Sequence, residues 1–109
     1  MIDLYTWGTP NGRKISIALE ELKIPYTVFP INIGKDEQFD SEFLKISPNN
    51  RMPAIIDPEG PDGEPISVFE SGAILLHLAE KFRAFQPTGQ ARAEMLSWLF
   101  WQIGSAPFI

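Results

Sequence analysis

The chain has 109 residues, of which 44% are hydrophobic, and it carries a formal net charge of -5. This composition is typical of one folded domain with a modest core, and the acidic balance argues against nucleic acid or an acidic membrane as a partner. With no cysteine in the chain, a disulfide, a thiolate metal site and a protein thiol nucleophile are all excluded.

The sequence predicts neither a signal peptide nor a membrane-spanning helix. No apolar stretch reaches the roughly 18 residues of a spanning helix, and "MIDLYTW" lacks the basic and apolar regions of a signal peptide. We therefore expect a cytoplasmic location. The chain stops on the apolar run "EMLSWLFWQIGSAPFI", which predicts that a further domain is missing.

The first half of the sequence predicts two strands around an amphipathic helix. "IDLY" (2–5) is the first strand, and Thr9 fits the N-cap of a helix that has Pro10 in its first turn. Pro25 ends this helix, and "YTVFPINI" (26–33) is the second strand. The helix has an apolar stripe at helical spacing, formed by Ile15, Ala18, Leu19 and Leu22.

The middle of the chain predicts a short irregular helix over 36–47 and then a hairpin. "AIID" (54–57) and "ISVF" (66–69) are its strands, and the loop between them is rich in Gly, Pro and Asp. A helix over 70–82 follows, with Ser71 as its N-cap. Its expected buried stripe is Ile74, Leu75, Leu78, Ala79 and Phe82.

The resulting order, β-α-β-α-β-β-α, predicts an α/β fold of the thioredoxin-like type. We assign this domain to residues 1–84, followed by a linker over 85–90. The last helix starts near residue 91 and is apolar on almost every side. Such a helix is expected to be buried on several faces.

The corner "TWGTPNGRK" is a candidate anion site. A helix N-terminus presents unpaired N–H groups and a positive dipole end, which favour an anion and lower the pKa of a thiol. The Thr9 hydroxyl and the Asn11 amide can both donate to sulfur, and Arg13 and Lys14 add positive charge. The alternative is that Thr9 only caps the helix while Asn11 only faces water.

Two further stretches are candidates for holding a peptide-like ligand. In "NNRMPAI", a cis Met52–Pro53 bond would turn the Met52 backbone outward as an edge for an extended peptide; an ordinary trans loop is the alternative. In "FESGAI", Glu70 could bind an ammonium group, while Ser71 and its backbone N–H could hold a carboxylate. The alternative there is a capped helix with a solvated Glu.

The stretches "TPNGRK", "FLKISPNNRMPAIID" and "FESGAILLHLAEKF" closely resemble the N-terminal domain of glutathione transferases. "SPNNRMPAI" and "QFDSEFLKISPNN" look most like the bacterial nu class, which includes glutathione-dependent disulfide-bond reductases, and like fungal nitrogen-regulator relatives. "WLFWQIG" resembles the first helix of the family's all-α second domain. The resemblance therefore implies that residues 91–109 begin that domain, which is incomplete here.

The resemblance implies that glutathione is the cosubstrate and that its own cysteine supplies the thiol. Thr9 and Asn11 would be the catalytic residues on the sulfur side. Gln38 and Arg51 would lie near the glycyl end or the pocket rim. Tyrosine-type transferases use a tyrosine close to the position of Tyr5, but "GTPNG" follows the serine/threonine-type layout, so Tyr5 is interpreted as a core residue.

The remaining implied contacts grip the other parts of glutathione. The Met52 backbone, beside cis-Pro53, would clamp the cysteinyl part, and Glu70 with Ser71 would bind the γ-glutamyl head group. No metal is implied. The resemblance thus predicts an enzyme, a glutathione transferase or a glutathione-dependent disulfide reductase, that acts on a small electrophile or a disulfide and forms a homodimer at full length.

Two other functions remain open at this point. One is a non-catalytic domain of the same type that binds glutathione or a regulatory partner, and the other is a protein-interaction module with a vestigial pocket. Intact segments at both ends of the expected ligand argue against a vestigial pocket, but they do not separate binding from turnover.

Several polar residues are interpreted as structural. His77, the one histidine, lies in the middle of a predicted helix. Four acidic residues border or occupy the hairpin loop without the spacing of a calcium loop, and they are expected to be solvated. They are Asp57, Glu59, Asp62 and Glu64.

Overall fold

The structure is a computed structural model that describes residues 1–104. It contains four strands and four α-helices in the predicted order, together with two 3-10 turns over 33–35 and 37–39. The elements are β1 (Ile2–Thr6), α1 (Pro10–Glu21), β2 (Tyr26–Pro30), α2 (Ser41–Ile46), β3 (Ala54–Asp57), β4 (Ile66–Phe69), α3 (Ser71–Phe82) and α4 (Gly89–Gly104).

The four strands form one mixed sheet in the order β2-β1-β3-β4. β1 is parallel to β2, while β3 is antiparallel to both β1 and β4. The register places Tyr5 opposite Ala54 and Ala54 opposite Phe69. The predicted thioredoxin-like α/β architecture is confirmed.

Apolar side chains cover both faces of this sheet. On one face α1 and α3 pack over the strands and bury the larger cluster, formed by Ile2, Leu4, Ile15, Leu19, Ile55, Ile74 and Leu78. On the other face Phe43 of α2 packs with Ile31 and Ala54. Burying each large aliphatic side chain contributes about 1.5–3 kcal/mol, so the two clusters stabilise the sheet from both of its faces.

The segment after β2 differs from its prediction. β2 ends at Pro30, not at residue 33, because the Asn32 side chain accepts from the Gly34 N–H and starts a 3-10 turn. The predicted helix over 36–47 is a second 3-10 turn followed by α2. Asp36 separates the two 3-10 turns with a left-handed φ of 58°.

The two ends of α3 also differ from the prediction. Ser71 is the first helical residue and not the N-cap, a place taken by Glu70 with no side-chain cap. Phe82, expected in the buried stripe, is 40% exposed and lies at the last position of α3, where the Lys81 ammonium is 5.4 Å from its ring centroid.

α4 begins at Gly89 and packs on α3, with Ile103 against Gly72. Its aromatic side chains nevertheless stay exposed within the described residues. Trp98 is 61% and Phe100 64% exposed, so the expected burial on several faces is not present there. No helix within residues 1–104 has the length and apolar character needed to cross a membrane. Residues 105–109 of the predicted last segment lie outside the described part.

Candidate functional site

The register of the sheet brings three predicted site segments to one end. Tyr5, Ala54 and Phe69 stand side by side on β1, β3 and β4. The chain leaves β1 just beyond Tyr5 toward Thr9, enters β3 through Pro53 and leaves β4 directly into Glu70. Residues far apart in the sequence therefore lie at the same end of the sheet.

At the β1–α1 corner, Thr9 is the N-cap of α1, as predicted. Its backbone is extended, and its hydroxyl oxygen accepts from the Gly12 N–H at 3.2 Å. An N-cap side chain of this kind satisfies one of the unpaired donors of the first turn. Among residues 1–104 the Thr9 hydroxyl donates to no acceptor, so its proton is available to a ligand.

Asn11 lies in the first turn of α1 and is exposed. Its amide oxygen accepts from the Lys14 ammonium at 2.7 Å. This contact holds a positive charge beside the helix N-terminus and leaves the two amide N–H groups as donors. The corner thus combines a hydroxyl, an amide, a cation and the positive end of the helix dipole, all of which favour an anion.

Gly12 belongs to this corner too, although it was not singled out from the sequence. It is buried, and a Cβ there would meet the Thr6 hydroxyl and would lie 2.7 Å from the Trp7 carbonyl oxygen. The backbone of the first turn can approach the end of β1 only because this residue has no side chain. The Asn-Gly pair at the helix start was the available signal.

Tyr5 lies in the sheet, as interpreted from the sequence. Its ring stacks on Phe29 with centroids 4.9 Å apart and is tilted against Phe43 at 6.3 Å. Burial, and then the negative charge of Asp3, raise the pKa of its phenol. Tyr5 therefore packs the second face of the sheet.

The Met52–Pro53 bond is cis, as considered from the sequence. Pro53 is buried next to the first residue of β3. The backbone of Met52 has no hydrogen-bond partner among residues 1–104, so its N–H and C=O can pair with a ligand. The preceding Arg51 carbonyl is held by the Ser47 hydroxyl, which donates to it at 2.6 Å.

At the start of α3, Glu70 is exposed and Ser71 is buried. Glu70 has a φ of 74°, in the left-handed half of the map, and such a conformation in a non-glycine residue costs on the order of 1–3 kcal/mol. One of its carboxylate oxygens accepts from the Asn49 amide at 3.3 Å. A carboxylate, a hydroxyl and a helix N-terminus therefore stand together.

Gln38 and Arg51 are the site residues that the structure ties least to the others. Gln38 lies in the second 3-10 turn, and its buried amide oxygen has no partner among residues 1–104. Arg51 is exposed, and only its backbone carbonyl takes part in the contacts described above. Neither side chain contacts Thr9, Asn11 or Glu70 through a hydrogen bond within the described residues.

The opposite end of β3 holds a polar cluster that the sequence reasoning misjudged. Asp57 is fully buried, not solvated; both its oxygens lie 2.8 Å from the Lys81 ammonium, and one lies 2.8 Å from His77 Nε2. The Glu59 N–H donates to it as well. His77 and Lys81 are four residues apart on α3, so they share one face of the helix.

Burial raises the pKa of the Asp57 carboxyl, but the hydrogen bonds from Lys81, His77 and the Glu59 backbone outweigh it. Together with the positive charge of Lys81 they bring that pKa below its ordinary value. Because Asp57 and Pro53 lie at opposite ends of β3, this cluster lies away from the candidate site. It ties the start of the hairpin loop to α3.

Residues 1–80 match the family model described as "Glutathione S-transferase, N-terminal domain". The chain belongs to this family. A curated member, "Disulfide-bond oxidoreductase YfcG" of Escherichia coli (strain K12), is 55% identical over 106 residues, which are 95% of this chain and 49% of the relative. The chain therefore spans about half the length of that relative, and the resemblance to bacterial disulfide reductases is confirmed.

Solved structures of glutathione transferase family members share this fold. One from Pseudomonas fluorescens pf-5, with two glutathione bound, has a TM-score of 0.92 at 46% identity and covers 94% of this chain and 46% of its own. Another, from Pseudomonas putida with one glutathione disulfide bound per subunit, has a TM-score of 0.90 at 45% identity, covering 94% and 45%.

Proposed function

We propose that this chain is the glutathione-binding part of a glutathione-dependent enzyme that reduces disulfides or transfers glutathione to electrophiles. The observation that carries the proposal is the register of Tyr5, Ala54 and Phe69, which brings the three candidate segments to one end of the sheet. Glutathione has a charged amino-acid head, a peptide middle and a thiol. Each segment suits one of these parts.

The segment at the start of α3 is assigned to the γ-glutamyl head group. The Glu70 carboxylate would pair with the ammonium, and the Ser71 hydroxyl and N–H would donate to the carboxylate at the helix N-terminus. α3 has twelve residues, long enough for its dipole to favour that anion. The positive φ of Glu70 has an energetic cost that ligand contacts can offset.

The segment before β3 is assigned to the cysteinyl part. The Met52 backbone N–H and C=O, next to Pro53, would pair with the peptide in the manner of an added strand. Gln38 and Arg51 would lie toward the glycyl carboxylate or the rim. The buried amide oxygen of Gln38 has no hydrogen-bond partner among residues 1–104, so a ligand N–H that reached it would satisfy it.

The corner at Thr9 and Asn11 is assigned to the sulfur. A thiolate there would accept from the Thr9 hydroxyl and the Asn11 amide, beside the Lys14 charge, so the proton of the thiol leaves for water more readily. The thiolate then attacks one sulfur of a disulfide. A mixed disulfide with glutathione forms, and the other sulfur leaves as a thiolate that takes up a proton.

Disulfide reduction is the first reaction to test. The Escherichia coli relative is named a disulfide-bond oxidoreductase, and the Pseudomonas putida relative holds glutathione disulfide. Calorimetric titration of this chain with reduced and oxidised glutathione, followed by turnover of a small disulfide and of an electrophile, tests the proposal. Saturable binding of either form supports it, whereas a folded chain that binds neither form contradicts it.

We further propose that residues 1–84 are the glutathione domain, 85–90 the linker and 91–109 the start of an all-α domain. Two observations support this division. Trp98 and Phe100 are exposed, and the Escherichia coli relative is about twice as long as the segment that it shares with this chain. The full protein is proposed to be a cytoplasmic homodimer that does not bind nucleic acid or membranes. Sedimentation of the full-length protein and cell fractionation test these points.

A further inference from the structure

A line of hydrogen bonds joins the interior of the protein to the exposed Glu70. Ser47 is fully buried at the C-cap of α2, and its N–H donates to the Phe43 carbonyl at 2.8 Å. Its hydroxyl faces the Asn49 amide oxygen at 2.9 Å, and the Asn49 amide nitrogen donates to Glu70 at 3.3 Å. Buried Ser47 therefore anchors, through Asn49, the exposed carboxylate of Glu70.

The chemistry of these groups fixes the direction of the line. A carboxylate only accepts, so the NH2 group of Asn49 has to face Glu70. The amide oxygen of Asn49 then faces Ser47, which has to be the donor. Reversing the amide would put two oxygens against each other at Glu70, so only one orientation of Asn49 satisfies both neighbours.

The same Ser47 hydroxyl also reaches the second ligand-binding segment. It lies 2.6 Å from the Arg51 carbonyl oxygen, immediately before Met52. Its single proton is thus shared between two acceptors. One is the amide oxygen of Asn49, which contacts Glu70, and the other is the Arg51 carbonyl oxygen, which precedes the Met52 backbone. The Ser47 carbonyl accepts from the Asn50 N–H at 3.0 Å and closes the turn between them.

We infer that Asn49 and Ser47 are positioning residues for glutathione: Asn49 aims the Glu70 carboxylate at the ligand's ammonium, and Ser47 sets that carboxylate and the Met52 backbone at a fixed separation. This inference rests on the proposed function. It adds two residues that need not touch the ligand. Asn49 acts only through the ammonium end of glutathione, whereas Ser47 acts on both the ammonium end and the peptide middle.

The test compares two ligands by calorimetry. The first is glutathione, and the second is glutaryl-cysteinyl-glycine, which is glutathione without its α-ammonium group. Asn49→Ala is expected to weaken glutathione binding about three- to tenfold, the range for a typical hydrogen bond, because Asn49 acts on the ammonium only through Glu70. It is expected to leave the binding of the second ligand unchanged. Ser47→Ala is expected to weaken both.

A double-mutant cycle gives a second readout. In the Glu70→Ala background, Asn49→Ala should produce no further loss of glutathione affinity, because the carboxylate that it positions is gone. The matched control is Asn50→Gly, one position along at a φ of 51° that glycine accepts. Glutathione affinity should not change in that variant. Thermal unfolding of each variant shows whether the fold is retained.

The outcomes separate this inference from the proposed function. If the parent chain binds neither ligand, the proposed function fails and the inference fails with it. If the parent binds glutathione but Asn49→Ala weakens both ligands equally, or weakens glutathione equally with and without Glu70, Asn49 is only structural and the inference alone is overturned. Unchanged glutathione binding by Asn49→Ala overturns it too.

Discussion

The hydroxyl oxygen of Thr9 accepts from the Gly12 N–H at 3.2 Å, so a lone pair caps α1 while the hydroxyl proton has no acceptor among residues 1–104. Thr9→Ala should therefore raise the thiol pKa of bound glutathione by about one unit, since one unit corresponds to about 1.4 kcal/mol and one donor to sulfur is lost. Ultraviolet titration of the thiolate measures this. Thr9→Ser is the control and should match the parent.

The effect of Thr9→Ala on glutathione affinity should be smaller than its effect on turnover. The loss of the N-cap should also cost about 1 kcal/mol in the free energy of unfolding, which urea denaturation measures. A variant with normal thiol acidity and slower turnover would contradict the assignment of Thr9 to the sulfur.

Gly12 and Gly8 offer a matched pair at the same corner. A Cβ at Gly12 would lie 2.7 Å from the Trp7 carbonyl oxygen, whereas one at Gly8 would meet nothing within 4 Å. Gly12→Ala should displace the first turn, lower the free energy of unfolding by about 1–3 kcal/mol and impair glutathione binding. Gly8→Ala should change neither quantity by much. Equal effects of the two variants would contradict this account.

Removing the Glu70 carboxylate should abolish most of the glutathione affinity. Glu70→Ala and Glu70→Gln should each weaken binding by about ten- to hundredfold, the range for a hydrogen bond to a charged group. Both should bind glutaryl-cysteinyl-glycine as the parent does, because that ligand has no ammonium to lose. Calorimetry with both ligands checks this, and parent-like glutathione affinity in Glu70→Gln would refute the head-group assignment.

The buried pair of Asp57 and Lys81 should matter for stability and not for the ligand. Lys81→Met leaves a buried carboxylate without its main partner and should cost about 3 kcal/mol in the free energy of unfolding. Lys45→Met is the control, because its ion pair with Glu42 is exposed on both sides and such pairs contribute about 0–1 kcal/mol. Urea denaturation compares the two, and similar losses would contradict the prediction.

The same cluster predicts how stability depends on pH. The pKa of Asp57 is lowered in the folded state relative to its ordinary value of 3.8, so its contribution is complete above that value. The contribution is lost as the pH falls below 3.8 toward the folded-state pKa. Asp57→Asn should therefore lower the free energy of unfolding at pH 6. Between pH 6 and acidic pH, that free energy should fall less in the variant than in the parent. Parallel pH profiles of parent and variant would contradict this.

Much of the fold could be predicted because its signals are local. The Thr9-Pro10 start, the apolar stripe of α1 and the Gly/Pro-rich turn of the hairpin each act within a few residues. The predictions that were wrong concern segments in which a local sequence pattern competed with a side-chain hydrogen bond or an unusual backbone angle. Asn32 starts a turn inside the predicted second strand, and Glu70 takes the N-cap with a backbone angle that composition does not reveal.

For the candidate site, too, local features could be predicted from the sequence, whereas contacts between distant residues could not. The sequence by itself identified the strands, helices and caps, and through its motifs the residue types that can hold an ammonium, a peptide and a thiolate. Only the tertiary structure decided that β1, β3 and β4 present these residues at one end of the sheet. It also decided that Asn49 reaches Glu70 and that Lys81 neutralises Asp57, contacts between residues 21 and 24 positions apart. Strand register and buried polar pairing depend on which distant segments share the core, so no short stretch of sequence carries them.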